Sequence, residues 1–169
     1  MKYYLKENFR LFYADGQLYD EDDNIVYRYE NETLFFPRIA LYKDDELIGY
    51  VKKNFTWFLR QYDLVLNDEY VGSLNQQFTW FKSELHIDEL GWTIKGDLFD
   101  WHYQIFDEDG LLMAQIDQEI FRLTQRFYID IYDEQNEELI ILLVIALNQF
   151  DKDRAAAASS SAASHSSNH

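Results

Sequence analysis

The sequence predicts a mostly β (α+β) protein, in which a closed antiparallel barrel of about twelve strands surrounds one buried hydrophobic C-terminal helix. Three observations support this fold class: a continuous apolar run near the C-terminus, a hairpin pattern that recurs along the chain, and an aromatic content of 18%. Aromatic residues favour strands and supply large buried contacts. A sheet of this size hides its edges most easily by closing on itself, and the helix would fill the interior.

The apolar run lies in Glu137–Phe150, EELIILLVIALNQF, where every residue from Leu139 to Leu147 is apolar. On a helix these residues point in all directions, so the helix must be surrounded by protein or lipid. A bilayer span takes roughly 20 apolar residues, which favours protein. A strand remains an alternative because several of the residues are β-branched. Capping favours the helix, since Asp133 or Asn136 can be the N-cap and two glutamates follow at the positive end of the dipole.

The recurring hairpin pattern is clearest in Leu41–Gly49 and Leu66–Gly72, where a strand leads through an acidic turn into a second strand that reaches a glycine. Each of these copies continues to the tetrapeptide FTWF. Further copies lie at Ile105–Ala114 and, more weakly, at Leu18–Tyr27. Repeat periods of this kind usually reflect architecture, so we interpret the pattern as an antiparallel meander of similar hairpins.

The length of 169 residues fits one domain, which we assign to residues 1–151. The remaining residues, 152–169, are dominated by alanine and serine and carry no periodic apolar face. We therefore expect them to form a disordered tail.

The composition restricts the classes of partner. The net charge is -16, and such a surface should repel nucleic-acid backbone and anionic lipid head groups. The chain contains no cysteine, which excludes a disulfide, a thiolate nucleophile and a cysteine-based zinc site. Because the N-terminus lacks the apolar segment of a signal peptide, we expect a soluble cytoplasmic protein.

Catalytic candidates are few, and each has a structural explanation. His86 and His102 lack a histidine partner at the i, i+4 spacing of a metalloprotease helix. Ser73 and Ser83 lack the Gly-x-Ser-x-Gly context of a nucleophile elbow. Carboxylates are too numerous for an acid–base pair to be selected. The sequence thus predicts no catalytic residue and no cofactor-binding residue.

One acidic turn partly resembles a calcium loop. Asp20, Asp22 and Asn24 match positions 1, 3 and 5 of an EF-hand. Ile25 stands where that loop requires glycine and Asn31 where it requires glutamate, so the motif fails. We predict no metal ligand, although weak divalent-cation binding at such turns stays an alternative to solvated turns that discourage edge pairing.

Several segments in a fixed order point to a known family. They are the opening MKYYLKENFRLF, the units Ile48-Gly49, Val71-Gly72 and Met113-Ala114-Gln115-Ile116, the segments Trp92–Leu98 and Tyr103–Ile105, and the closing Glu138–Leu147. On these segments, from about Lys2 to Asp151, the chain resembles the LURP-one-related group of the Tubby C-terminal-like superfamily, in the manner of its uncharacterised bacterial members. The resemblance implies a barrel of roughly twelve strands that encloses the last helix.

The resemblance implies less about function. Tubby proteins bind phosphoinositides through basic side chains, whereas the bases of this chain are scattered at Lys52, Lys53, Arg60, Lys82 and Lys95. Three hypotheses follow: a non-enzymatic barrel that binds a protein or small ligand on its outer surface, a phospholipid-binding module, and a carboxylate-based hydrolase. We favour the first, with no cofactor and no nucleic-acid partner, with membrane association disfavoured by charge, and with the oligomeric state left open.

Overall fold

A computed structural model of the chain describes residues 1–7, 15–32, 38–55, 60–75, 84–97, 102–121 and 124–164. Almost all of the two FTWF copies, at 55–58 and 78–81, lies outside the described residues. The described part is mostly antiparallel strand with a single C-terminal helical segment, so the predicted fold class is confirmed.

In the described part of the chain, twelve strands precede the helix. Their bounds are β1 Lys2–Glu7, β2 Gly16–Tyr19, β3 Ile25–Asn31, β4 Arg38–Lys43, β5 Glu46–Phe55, β6 Arg60–Leu66, β7 Glu69–Asn75, β8 Glu84–Ile87, β9 Trp92–Asp97, β10 His102–Phe106, β11 Leu112–Phe121 and β12 Thr124–Ile131.

The strands form one antiparallel sheet in the order β7-β6-β5-β4-β3-β2-β1-β12-β11-β10-β9-β8. The first and last strands of this order, β7 and β8, lie close together. Gly72 of β7 is so near Ile87 of β8 that a Cβ atom at position 72 would lie 2.9 Å from Ile87 Cγ2. Glu89, just after β8, accepts a hydrogen bond of 2.5 Å from the Tyr70 hydroxyl of β7. The sheet is therefore a nearly closed barrel, as predicted.

The internal repeat corresponds to a hairpin with a β-bulge. In each of the four copies the register shifts by one residue close to the turn, which leaves one residue of the second strand without a cross-strand partner. The four bulge residues are Val26, Ile48, Val71 and Met113. All four pack on the core. Because a bulge increases the local twist, the repeat supplies the curvature that a closing sheet needs.

The helix α1, Glu137–Ser164, follows a short 3-10 turn at Glu134–Asn136. Asp133 caps that turn, where its side chain accepts a hydrogen bond from the Gln135 backbone amide. Every residue from Leu139 to Leu147 is buried. Alternate residues of the strands point inward against them. The predicted buried helix is confirmed, and the large apolar area removed from water on all its sides is the main stabilisation of the fold.

The C-terminal segment differs from the prediction. We expected disorder from residue 152, but the helix continues to Ser164, and residues 165–169 lie outside the described part. Alanine has the highest helix propensity, and the buried turns have already met the cost of nucleation. The Ala- and Ser-rich composition of this segment, which is typical of disorder, therefore continues the helix that precedes it.

The helix is held at its first turn by a buried polar cluster. Glu137 is 8% exposed and accepts hydrogen bonds from the hydroxyls of Tyr3, at 3.0 Å, and Tyr27, at 2.5 Å. The Lys43 amine lies 3.9 Å from Glu137 Oε1 and 3.2 Å from Glu138 Oε1. Strands β1, β3 and β4 are thereby joined to the start of the helix. We call Tyr3, Tyr27, Lys43, Glu137 and Glu138 the entry cluster.

A similar arrangement holds the helix four turns later. Asp153 accepts a hydrogen bond of 2.7 Å from the Tyr62 hydroxyl of β6 and pairs with Lys53 of β5, whose side chain is 10% exposed. Gln149 donates to the same carboxylate at 3.2 Å. In both clusters a helix carboxylate meets a tyrosine and a lysine from the wall, so the axial position of the helix is fixed at two points.

Candidate binding surface

Three tyrosine rings form a continuous row on the outer surface of the barrel, across β2, β1 and β12. Tyr4 lies opposite Tyr19 on one side and opposite Tyr128 on the other. The rings of Tyr4 and Tyr19 are stacked, with 5.2 Å between centroids and 11° between planes. The Tyr128 ring is 6.4 Å from that of Tyr4 and tilted by 43°. All three side chains are half-buried, so they offer rigid apolar surface with a polar edge.

Tyr4 and Tyr128 of this row line an open groove of about 530 Å³, which we call the tyrosine groove. It is lined by Lys2, Tyr3, Tyr4, Glu21, Asp117, Tyr128 and Asp130. Three carboxylates thus face a single lysine amine, which lies 3.9 Å from Asp130 Oδ1. The local potential of the groove is negative, in keeping with the charge of the whole chain.

Asp117 extends this surface onto β10 and β9. A second pocket of about 310 Å³ shares Asp117 and is lined further by Lys95, Gly96, His102, Tyr103, Gln104 and Gln115. Asp117 Oδ1 lies 2.7 Å from His102 Nδ1, and Asp117 Oδ2 accepts a hydrogen bond of 2.9 Å from Gln115. The tyrosine groove and this second pocket therefore form one polar and aromatic strip across five strands.

The Asp117–His102 pair is solvated, with side chains 39% and 59% exposed. Among the described residues, no serine or threonine hydroxyl bonds to His102. The pair consequently lacks the nucleophile of a hydrolytic triad within that part of the chain. It orients an imidazole edge and a carboxylate toward the groove.

The other histidine and serine candidates lie elsewhere. His86 is exposed on β8, where its Nδ1 lies 3.2 Å from Thr93 Oγ1. Ser73 is buried on β7, with its hydroxyl 3.5 Å from Glu89 Oε1, and Ser83 lies outside the described residues. The structure brings neither His86 nor Ser73 together with His102.

The acidic turns use their carboxylates internally. Asp20 accepts hydrogen bonds from the Asn24 side chain at 3.0 Å and from the Asn24 and Asp22 amides at 2.8 and 3.0 Å. These bonds, the Asn24 side chain foremost, hold the pKa of Asp20 below its usual value. Asp107 closes its own turn in the same way, accepting from the Asp109 and Leu111 amides. Within the described ranges, no group of three or more acidic or histidine side chains is placed to hold a metal.

The scattered bases also have local roles where the structure describes them. Lys53 belongs to the buried pair with Asp153, and Lys95 lies 3.7 Å from Glu84 Oε1. Lys52 is exposed on β5. The side chains of Arg60 and Lys82 lie outside the described part.

The phenols of the entry cluster are hydrogen-bond donors rather than reactive groups. Burial, together with the hydrogen bonds to Glu137, raises the pKa of both Tyr3 and Tyr27 above the usual value for tyrosine. A phenol held protonated in this way is a poor base and a poor nucleophile. The cluster serves to position the helix.

A nearly closed antiparallel barrel of twelve described strands around one apolar helix is consistent with the Tubby C-terminal-like class. The model of the LURP-one-related family matches residues 1–148. The chain belongs to the LURP-one-related family. Neither a curated protein nor a solved structure matches the sequence significantly.

In the part of the chain that the structure describes, no helix is both long enough and apolar enough to cross a bilayer.

Proposed function

We propose that this barrel is a non-enzymatic binding module that holds a protein or small ligand in the tyrosine groove on its outer surface. The observation that supports the proposal is the row of Tyr19, Tyr4 and Tyr128, which lie side by side in register on three neighbouring strands. Tyrosine is enriched at the energetic centres of interfaces because it contributes large contact area at low entropic cost. A row of aromatic side chains on the solvent-facing side of a sheet is available for contacts with another molecule.

The test uses three ten-residue fluorescent peptides that carry basic, neutral or acidic residues around a common central tryptophan. We expect at least one of them to bind saturably and to shift backbone amide resonances of β1, β11 and β12. Tyr4→Ala should weaken that binding at least about tenfold, a loss of about 1.4 kcal/mol. Tyr132→Ala is the matched control, because Tyr132 is 57% exposed and is not part of the groove. Binding that maps elsewhere, or that survives Tyr4→Ala, would remove the groove from the proposal.

A phosphoinositide-binding role would require a positively charged pocket, whereas the tyrosine groove is negatively charged. It needs several bases in one pocket, and the described bases Lys53, Lys95 and Arg38 are each held by a carboxylate. We expect no flotation with phosphoinositide-containing liposomes at physiological salt, where screening acts beyond about 8 Å. Saturable flotation that is lost in Lys52→Glu would contradict this expectation. Lys52 is the appropriate site for charge reversal, since reversing Lys53 would also break a buried ion pair.

A further inference from the structure

The barrel already contains two sites in which an arginine is held between a tyrosine ring and a carboxylate. The Arg38 guanidinium carbon lies 4.0 Å from the Tyr50 ring centroid, and its Nε is 3.0 Å from Glu32 Oε2. The Arg28 guanidinium carbon lies 4.6 Å from the Tyr42 ring centroid, and its Nη2 is 3.6 Å from Asp45 Oδ1. A guanidinium suits such sites because it stacks on a ring face and offers a planar set of donors to carboxylates.

The tyrosine groove repeats this combination around Tyr128. Asp117 lies directly opposite Tyr128 in the ladder, and Asp130 lies two residues along the same strand on the same face. Among the described residues, no arginine or lysine lies over the Tyr128 ring. The ring and its flanking carboxylates thus match the two internal sites, and none of the described side chains supplies the cation.

The two carboxylates retain capacity to accept. Among the described side chains, Asp130 is approached only by the distant Lys2 amine, at 3.9 Å. Asp117 accepts one bond at each oxygen, from His102 and Gln115, and each carboxylate oxygen has two lone pairs. A guanidinium over Tyr128 can therefore reach an acceptor on either side of the ring.

We infer that the tyrosine groove binds an extended protein segment through an arginine side chain stacked on Tyr128 between Asp117 and Asp130. This inference rests on the proposed function and names the partner for it. The occupant is a protein segment because the strip from Tyr4 of β1 to Lys95 of β9 crosses five neighbouring strands. At about 4.8 Å between strands, that length matches roughly six residues of extended chain. The negative potential of the groove selects a cationic segment.

The test compares peptides that differ at one central position, which is arginine, lysine or citrulline, the neutral isostere of arginine. Binding to the full chain is followed by amide chemical shifts. We expect the arginine peptide to bind at least about tenfold more tightly than the citrulline peptide, with lysine between them, because only arginine combines charge with a planar donor set.

Two variants assign this preference to the ring. Tyr128→Ala should abolish the difference between arginine and citrulline, whereas Tyr128→Phe, which keeps the ring, should retain it. Thermal melts of both variants verify the fold, and Tyr132→Ala is again the control outside the groove. Equal binding of the arginine and citrulline peptides, or an arginine preference that persists in Tyr128→Ala, would overturn the inference. If a neutral or acidic peptide occupies the groove instead, the inference fails while the proposed binding function stands.

Discussion

Val144→Asp should yield no folded protein. Val144 is 5% exposed and lies in the middle of the apolar helix, with strand side chains around it. An ionised carboxylate buried there without a partner costs several kcal/mol, and the mutation also removes apolar contacts. A typical domain is stable by only about 5–15 kcal/mol, so we expect insoluble or unfolded protein and no cooperative thermal transition.

Leu111→Asp is the matched control, because it makes the same kind of change at a hairpin tip that is 66% exposed. It should leave the melting temperature nearly unchanged. Truncation after Glu138 should resemble Val144→Asp. A soluble truncated chain with a cooperative melt and a native β signal in circular dichroism would show that the strands close without the helix.

Glu137→Ala should cause the second largest loss in the free energy of unfolding. The residues Tyr3 and Tyr27 are 6% and 0% exposed, and the substitution leaves their hydroxyls without their carboxylate acceptor. A buried donor left unsatisfied costs about 1–3 kcal/mol, so we expect a loss of about 2–6 kcal/mol in the free energy of unfolding. Urea denaturation with an unchanged m-value would measure it.

Two further variants distinguish the stability contributed by the buried hydrogen bonds from that contributed by the negative charge at the start of the helix. Glu137→Gln keeps an acceptor and should lose less stability than Glu137→Ala. Glu138→Ala removes a carboxylate that is 32% exposed and pairs with Lys43, so it should cost less than about 1 kcal/mol. If Glu138→Ala were as damaging as Glu137→Ala, the charge and not the buried bonds would hold the helix.

The entry cluster also predicts a pH dependence. The phenols of Tyr3 and Tyr27 have a pKa raised above the usual 10.0, chiefly by burial. The unfolded chain would release these protons first, so the folded state is favoured fully below pH 10 and loses stability as the pH rises above it. The free energy of unfolding should accordingly fall on the alkaline side.

The barrel and its helix could be predicted from the sequence because their signals are local. A helix that is apolar on all sides must be buried wherever it lies in the chain. The hairpin copies around Gly49 and Gly72 show their turns and their strand alternation directly in the sequence. The C-terminal extension of the helix could not be predicted from composition. The same alanines are compatible with disorder or with helix, and the preceding buried turns decide between them.

The tyrosine groove could not be found in the sequence because it depends on long-range register. Tyr4 and Tyr128 belong to the first and last strands, and they become neighbours only through the pairing of β1 with β12. The sequence also did not show which aromatic rings face outward; in the structure the neighbours Leu5 and Phe127 are buried on the inner face, so Tyr4 and Tyr128 lie on the outer one. The row itself, and the position of Asp117 beside it, required the sheet order.

The position of the helix in the chain also affects how the protein is made. The ribosome synthesises all twelve strands before it reaches Glu137–Phe150. Until then the inward side chains, such as Leu18, Leu64 and Ile105, have no helix to pack against. A nascent chain of this kind exposes apolar sheet surface throughout translation, which favours aggregation and contact with chaperones. The barrel acquires its interior only when the last apolar turns emerge, so it is expected to complete its folding only after the helix has been synthesised.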